Sequence, residues 1–450
     1  MILMFGHFYL INAQNEDNET ISKIYISALN STSSFQNLKI LCDSAPGRMV
    51  GSLNAENAVR ILMNQLDRTS VDTLYKQEYY ATSWICKSPG QAVAIYKDRY
   101  DTLNVATLGM SISTPEKGIK GKLLEVFSLD ELDSLGSEIV KDKIVFFNRA
   151  MDNSEINTFS AYRGAIDQRV YGAIKAAEHG AKGVIVRSLA TESDDFPHTG
   201  VSRYKDDIKK IPVLSISTDD AEKLSEINSK YPDPTIWLNC QTVIQDSVKT
   251  SNLIAELRGR KKPENVILIG AHIDSWYNTA GAHDDGAGCV QMIDVLRIFN
   301  ELNIKPNNTI RLVLFMDEEL NQSGAEKYAK YAGQESKKHI MAIESDAGGF
   351  LPIGFGIDAG DSIADILKKQ ISILDEYGIH TIIKGFAGVD IKELAKYNVP
   401  LVGLLTNSQR YFEVHHSEND TFDKVGRREL QLGTASVASL VYLIDKYGIQ

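Results

Sequence analysis

VILIGAHIDSW, residues 266–276, joins a run of aliphatic residues to an imidazole and a carboxylate, His272 and Asp274. Short runs rich in β-branched residues predict buried strands. Three more runs of this kind follow, RLVLFM (311–316), IMAIES (340–345) and VPLVGLL (399–405). Helical patterns separate or follow them, at about 288–302, 362–377 and 428–447. This alternation predicts an α/β fold with a mostly parallel sheet that is covered by helices on both faces.

Polar side chains follow each of the four strand-like runs, at the edge where ligands of such sheets bind. They are His272 and Asp274, then Glu318 and Glu319, then Asp346, and finally His415 and His416, while a glycine-rich segment adds Asp284 and Asp285. Crowded acids repel one another and lose hydration unless a cation gathers them. Nitrogen and oxygen donors without thiolate suit zinc in a catalytic arrangement, and manganese or cobalt fits the same donors. A set that offers at least two histidines and three carboxylates favours two metal ions that share one carboxylate over a single ion with three ligands.

Each of these residues, taken alone, also has an ordinary structural interpretation. A histidine such as His272 at a strand end is more often a structural hydrogen-bonding group than a ligand. Asp284 and Asp285 fit a helix N-cap and first turn, and Glu318 and Glu319 fit a solvated turn. The metal hypothesis therefore depends on the combination of residues.

Composition excludes several classes of protein. The 450 residues suffice for two or three domains, and 43% apolar and 24% charged residues are typical of a folded globular chain. A formal charge of −11, without a run of five Lys/Arg, disfavours nucleic acid and anionic lipid as partners. The four cysteines form no CxxC pair, so neither a thiolate zinc cluster nor a disulfide scaffold is indicated. No apolar run after the N-terminus is long enough to span a membrane.

The N-terminal residues 1–14 contain the uncharged run MILMFGHFYLI, followed by Asn12-Ala13-Gln14. This pattern is typical of a signal peptide and predicts a secreted or periplasmic protein rather than a cytoplasmic one. The basic residues that usually precede the apolar run are missing, which leaves an apolar first strand as the alternative.

A separate α/β rhythm occupies the region from about residue 121 to residue 239. Strand-like runs alternate there with a helix at about 171–179, and these runs are KIVFFN (143–148), GVIVRS (183–188) and IPVLSIS (211–217). None of the clustered acids and histidines falls in it, so we interpret it as an inserted module.

Five motifs in order carry a family resemblance: His272-x-Asp274-Ser275-Trp276, Asp284-Asp285-Gly286, Glu318-Glu319, Glu344-Ser345-Asp346 and His415-His416-Ser417. Together with Gly47-Arg48 and Pro197-His198-Thr199-Gly200, they resemble the co-catalytic dizinc aminopeptidase and carboxypeptidase family, most closely its carboxypeptidase Q branch. The resemblance covers residues 38–447. It implies the zinc-exopeptidase fold, a phosphorylase/hydrolase-like three-layer sheet covered by helices. The domains would be an N-terminal part of the peptidase domain (15–120), an inserted protease-associated domain (121–245) and the catalytic dizinc domain (246–450).

The same resemblance implies roles for single residues and two zinc ions per chain. His272 and Asp346 would hold one ion, Glu319 and His416 the other, and Asp284 would bridge both. Glu318 matches the general base, which agrees with the divergence of neighbouring side chains at a strand end. Asp274 matches the carboxylate that orients the His272 imidazole. Asp285 matches the position that follows a cis peptide in related enzymes.

Other residues near these motifs stay open between two interpretations. His415 is a candidate for the oxyanion side of the site or for supporting a ligand, and Tyr411 for binding the tetrahedral intermediate, with simple packing as the alternative for both. Asp390 is predicted to cap the helix that follows it. Tyr277 and residues 320–324 depart from the family pattern, which predicts an effect on the cleft wall and on substrate fit.

The sequence therefore predicts a metallopeptidase with a peptide as its substrate. Metal-bound hydroxide would attack short peptides, dipeptides above all, with Glu318 as the base. One alternative is an aminopeptidase that acts on longer peptides, and another is a receptor-like relative without catalysis. A glutaminyl-cyclase-like acyltransferase fits less well, because it needs one zinc ion. The resemblance also predicts a homodimer.

Overall fold

A computed structural model describes the backbone of residues 2–449 and the side chains of residues 15–449. The predicted signal peptide, residues 1–14, thus lies outside the described side chains. Helix α1 runs through the backbone of this region, so the alternative of a first strand is wrong. No helix in the described part of the chain has the length and apolar character needed to cross a bilayer.

The helices are α1 (Ile2–Asn30), α2 (Ser33–Ser44), α3 (Leu53–Asp67), α4 (Leu129–Val140), α5 (Thr158–Glu178), α6 (Thr218–Lys230), α7 (Ala287–Glu301), α8 (Ser323–Ala332), α9 (Asp361–Ile371) and α10 (Arg427–Tyr447). The strands are β1 (Thr73–Tyr96), β2 (Arg99–Leu103), β3 (Val105–Thr107), β4 (Ile119–Val126), β5 (Ile144–Phe147), β6 (Gly183–Arg187), β7 (Val213–Ile216), β8 (Thr235–Leu257), β9 (Lys262–His272), β10 (Asn308–Phe315), β11 (Lys338–Glu344), β12 (Pro352–Asp358), β13 (Thr381–Lys384) and β14 (Leu401–Thr406).

The central sheet has the strand order β13-β12-β14-β11-β9-β10-β8. Four strands at its centre, β14, β11, β9 and β10, are parallel, whereas β12 runs antiparallel to β14 and β8 antiparallel to β10. The sheet is therefore mixed, and the α/β fold predicted from the sequence is confirmed.

Both faces of the sheet are covered, as the aliphatic run of β9 shows. Ile267 and Ile269 belong to one apolar cluster with α7, while Val266 and Leu268 belong to another cluster with α8. Successive side chains of a strand point to opposite faces, so a fully apolar run is the pattern of a strand buried on both sides.

Two long strands, β1 and β8, connect the central sheet to the remainder of the fold. They pair antiparallel along most of their length, and the start of β8 also pairs with β4. Beyond β4 follow the parallel strands β5, β6 and β7, which have apolar clusters of their own. This second group of strands lies in the segment for which the sequence predicts an inserted module, and its assignment as a protease-associated domain stays a prediction.

The parallel strands bring the predicted site residues to one edge of the sheet. His272 is the last residue of β9, Glu318 and Glu319 follow shortly after β10, and Asp346 lies two residues after β11. A 3₁₀ turn after β14, Ser408–Glu413, leads to His415 and His416.

Candidate metal centre

Asp284 lies between two histidines and turns a different oxygen to each. Its Oδ1 lies 3.1 Å from Nε2 of His272, and its Oδ2 lies 3.3 Å from Nε2 of His416. Asp284 is 5% exposed. This is the arrangement that a carboxylate needs to bridge two cations.

Each histidine has a second acidic neighbour. His272 Nε2 lies 3.4 Å from Oδ1 of Asp346, and His416 Nε2 lies 3.1 Å from Oε2 of Glu319. The structure thus brings together all five residues that the resemblance implies as ligands, as two groups that share Asp284. One atom each of His272, Asp284 and Asp346 lie within 4.8 Å of one another.

The electrostatics of the site show how crowded these acids are. Burial, together with neighbouring acids such as Asp284, raises the pKa of Glu319 well above 4.5, and the pKa of Glu318 is raised in the same way. Burial alone would lower the pKa of His272, but Asp346 and two further aspartates raise it well above 6.5. The site therefore favours a bound cation.

The donor atoms also fit metal ions in detail. Oε1 of Glu319 is buried and has no hydrogen-bond partner among the described residues. An orphaned buried carboxylate oxygen is costly unless something binds it. Burial and the guanidinium of Arg169 lower the pKa of His416 well below 6.5, which keeps this imidazole neutral, the form that ligates metals.

The carboxylate of Asp274 supports the base and one ligand through their backbone. Its Oδ1 accepts hydrogen bonds from the N–H groups of Asp317 and Glu318, and its Oδ2 accepts one from Glu319. Its distance to Nδ1 of His272 is 3.7 Å, whereas its backbone oxygen lies 3.1 Å from that atom. The backbone carbonyl of Asp274 thus orients the His272 imidazole, and the carboxylate of Asp274 lies beside the same ring nitrogen.

The two adjacent acids at the start of α7 divide their roles. Asp285 accepts hydrogen bonds from the N–H groups of His272 and Gly288, and so ties the end of β9 to the first turn of the helix. Asp284 faces the histidines. The peptide bond between them is cis, as the resemblance implies.

Two further residues hold the Asp284 loop and were given no role from the sequence. The buried guanidinium of Arg48 donates to the carbonyls of Ile273, Ala280 and Gly281. The carboxylate of Asp420 accepts from the N–H group of Asp284. Gly47-Arg48 belongs to the motifs that carry the family resemblance. The role of Arg48 does not follow from the sequence, because the groups that it binds are backbone carbonyls, which every residue has.

His415 and Tyr411 lie beside the ligands. The ring of His415 stacks on that of His416 with centroids 3.6 Å apart, and its Nε2 lies 3.7 Å from Oδ2 of Asp284. The ring of Tyr411 lies 5.0 Å from that of His415 within an aromatic cluster, and burial, together with Asp284, raises the pKa of Tyr411 well above 10. Both residues remain candidates for contact with substrate.

The interpretation of Asp390 as a helix cap is wrong. Asp390 does not cap the helix that follows it, because both its carboxylate oxygens are buried without a hydrogen-bond partner among the described residues. Burial and the neighbouring Glu344 raise the pKa of Asp390 well above 3.8. The hydroxyl of Tyr277 accepts from N–H and donates to C=O of Thr107, so this tyrosine joins the segment after β9 to β3, and its effect on substrate fit stays a prediction.

Comparisons with known proteins agree with this fold. The family model described as peptidase family M28 matches residues 252–441. Carboxypeptidase Q from Homo sapiens is 31% identical over 411 residues, which cover 91% of this chain and 85% of that protein. Carboxypeptidase Q from Bos taurus is 30% identical over the same shares of the two chains.

Solved structures show the same architecture. A peptidase M28 precursor from Shewanella amazonensis SB2B has a TM-score of 0.91 and 28% identity, covering 96% of this chain and 97% of that one. A zinc aminopeptidase from Bacillus subtilis has a TM-score of 0.65 at 15% identity over 92% and 95% of the two chains, a likeness of fold alone. The chain therefore belongs to peptidase family M28 and is a metallopeptidase related to carboxypeptidase Q.

Proposed function

We propose that this chain is a dizinc exopeptidase that hydrolyses short peptides, dipeptides in particular. The observation that carries the proposal is the position of Asp284, whose two oxygens face His272 and His416 separately. Three carboxylates and two imidazoles without thiolate suit zinc at catalytic positions. The intact set of donors also speaks against a receptor-like relative without catalysis.

Glu318 is the proposed base. When bound, the two ions would polarise the scissile carbonyl and lower the pKa of the attacking water. Glu318 then takes a proton from that water and returns it to the leaving amine. The hydrogen bond from its N–H group to Asp274 keeps the residue in place.

The enclosure of the site supports a short substrate. His272, Asp284, Glu319, His415 and His416 are all buried, whereas Glu318 and Asp346 are partly exposed. Substrate must approach from the side of the last two. A confined centre of this kind admits the end of a chain more readily than its middle, which favours an exopeptidase.

The test is a metal count combined with a peptide panel. Purified protein is expected to hold two zinc ions per chain and to cleave dipeptides, to lose activity with a chelator and to regain it with zinc. Cleavage of tetrapeptides without cleavage of dipeptides would instead favour the aminopeptidase alternative. Absence of zinc and of peptide hydrolysis would contradict the proposal.

We further propose that residues 1–14 direct export, that residues 121–245 form a protease-associated module, and that the chain forms a homodimer. N-terminal sequencing of protein recovered from the medium or periplasm tests the first proposal. Mass determination in solution tests the last.

A further inference from the structure

The segment from 121 to 245, which contributes none of the five proposed ligands, nevertheless contacts one of them. The carbonyl of Thr199 accepts a hydrogen bond from Nδ1 of His416 at 3.3 Å. The N–H group of Thr199 donates to the carbonyl of His416 at 2.9 Å. With Nδ1 as the donor, the lone pair of His416 lies on Nε2, which faces Asp284 and Glu319. One residue of the segment thus determines both the orientation and the tautomer of this histidine.

His416 needs this support because of its backbone. Its φ is +61°, a left-handed conformation that non-glycine residues seldom adopt. Such conformations persist where surrounding contacts hold them. The two hydrogen bonds to Thr199 stabilise this conformation of His416, one at its carbonyl and one at its ring.

The side chain of Arg169 binds the carbonyl of Thr199. Its Nη1 donates to the Thr199 carbonyl at 3.5 Å, and its Nη2 donates to the hydroxyl of Tyr162 at 2.7 Å. Gly200 lies directly on the guanidinium, since a Cβ there would be 2.5 Å from Cζ of Arg169. Arg169 is 5% exposed, and its described hydrogen bonds go to the Thr199 carbonyl and to the hydroxyl of Tyr162.

We propose that Arg169 is a positioning residue that, through the Thr199 carbonyl, sets the metal affinity of the position that contains His416 and leaves the His272 position unchanged. This inference rests on the proposed function, because it requires two metal positions. The inserted segment would then be part of the metal centre without supplying a ligand.

Zinc titration of the apoprotein by calorimetry tests the proposal. Wild type is expected to show two classes of site, and His416→Gln identifies which class contains His416. Arg169→Met should weaken that class by up to about 10-fold, less than the about 10–100-fold that losing the direct partner of a ligating histidine costs, because the Thr199 carbonyl stays in place. The other class should change less than about twofold, and Arg169→Met should add nothing in the His416→Gln background. Arg169→Lys, which can still reach one acceptor, should restore part of the affinity.

Arg187→Met is the matched control. Arg187 lies in the same segment and contacts Asn148 and Glu222. We expect the zinc affinity of both classes of site in Arg187→Met to equal that of the wild type. If Arg169→Met does not fold, Tyr162→Phe carries the test, because it removes only the hydroxyl that holds Nη2. It should weaken the same class by a few-fold.

The outcomes separate the two proposals. If the wild type shows two classes of zinc site, and Arg169→Met and Tyr162→Phe leave both classes intact or weaken both by the same factor, the positioning role is overturned. The dizinc function is then unaffected. A single class of zinc site in the wild type contradicts the dizinc function itself, and the inference with it.

Discussion

The carboxylate of Asp274 accepts a hydrogen bond from the backbone N–H group of Glu318 at 3.1 Å. It accepts two more from the neighbouring N–H groups of Asp317 and Glu319, so one buried side chain fixes the whole turn after β10. The proposed base and one proposed ligand thus share an anchor.

Replacing this anchor should disturb the centre without removing a ligand. In Asp274→Asn one carboxylate oxygen becomes an NH₂ group, which cannot accept from the backbone donors. We expect zinc affinity or kcat/KM to fall by about 10–100-fold. Asp72→Asn is the control, because the carboxylate of Asp72 also accepts a hydrogen bond from a backbone N–H group, that of Arg258, but lies far from the site. Wild-type zinc binding and turnover in Asp274→Asn would show that the anchor is dispensable.

Glu318→Gln should separate catalysis from metal binding. Glutamine keeps the size of the side chain but cannot take a proton, so kcat should fall by about 10²–10⁴-fold while both zinc ions remain. Glu326→Gln, on the exposed face of α8, should leave both quantities unchanged. The measurements are steady-state kinetics and zinc per chain. Normal turnover in Glu318→Gln would remove this residue from the role of base.

Arg48→Met should lower the free energy of unfolding. The substitution leaves the buried carbonyl of Ile273 and the partly buried carbonyl of Ala280 without a described donor, whereas the carbonyl of Gly281 keeps the N–H group of Gly286. Each unsatisfied group costs about 1–3 kcal/mol, so we expect a loss of at least about 2 kcal/mol in urea unfolding. Arg60→Met, at an exposed position of α3, should change stability by no more than about 0.5 kcal/mol. Equal stability of the two variants would refute the role of Arg48.

His339 should make stability depend on pH far from the metal centre. Burial, helped by the nearby Arg311, lowers the pKa of His339 to about 3. The unfolded chain binds a proton at this residue below about pH 6.5 and the folded chain does not, so stability falls as pH decreases from 6.5 towards 3. At pH 5 the loss is about 2 kcal/mol, from about 1.36 kcal/mol per pH unit.

His339→Asn should remove this contribution, and the exposed His380→Asn serves as its control. The measurement is urea unfolding at pH 7 and pH 5, and the quantity compared is the difference between variant and wild type. An unchanged dependence in His339→Asn would mean that other groups cause it.

The sequence predicted those elements whose pattern is unambiguous. The aliphatic runs of β9, β10, β11 and β14 are buried on both faces, and the polar residues that follow them come together as expected. The strand β1 was not predicted, because polar residues interrupt its apolar ones without a regular period and because Ser88-Pro89-Gly90 resembles a turn. In the structure the pairing with β8 shifts register there and the strand continues.

The residues of the site that were missed act through the main chain. Thr199 presents a carbonyl to His416, and Arg48 binds three carbonyls of the Asp284 loop. Such contacts depend on where the backbone passes and hardly on residue type, so a single sequence does not reveal them. The prediction for Asp390 was wrong although its residue type and its position before a 3₁₀ helix fit a cap, because its side chain makes no capping hydrogen bond.

Ile95 and Thr235 are paired neighbours on β1 and β8. The chain leaves this pair of strands and returns to it at one place, so an exchange of the segment between these two residues would pass through a single junction. An exchanged segment would keep every donor atom of the centre, but it would have to bring its own acceptor for His416. Exchange of this segment would therefore have to preserve a backbone acceptor for His416 as well as contacts such as that of Thr107 with Tyr277.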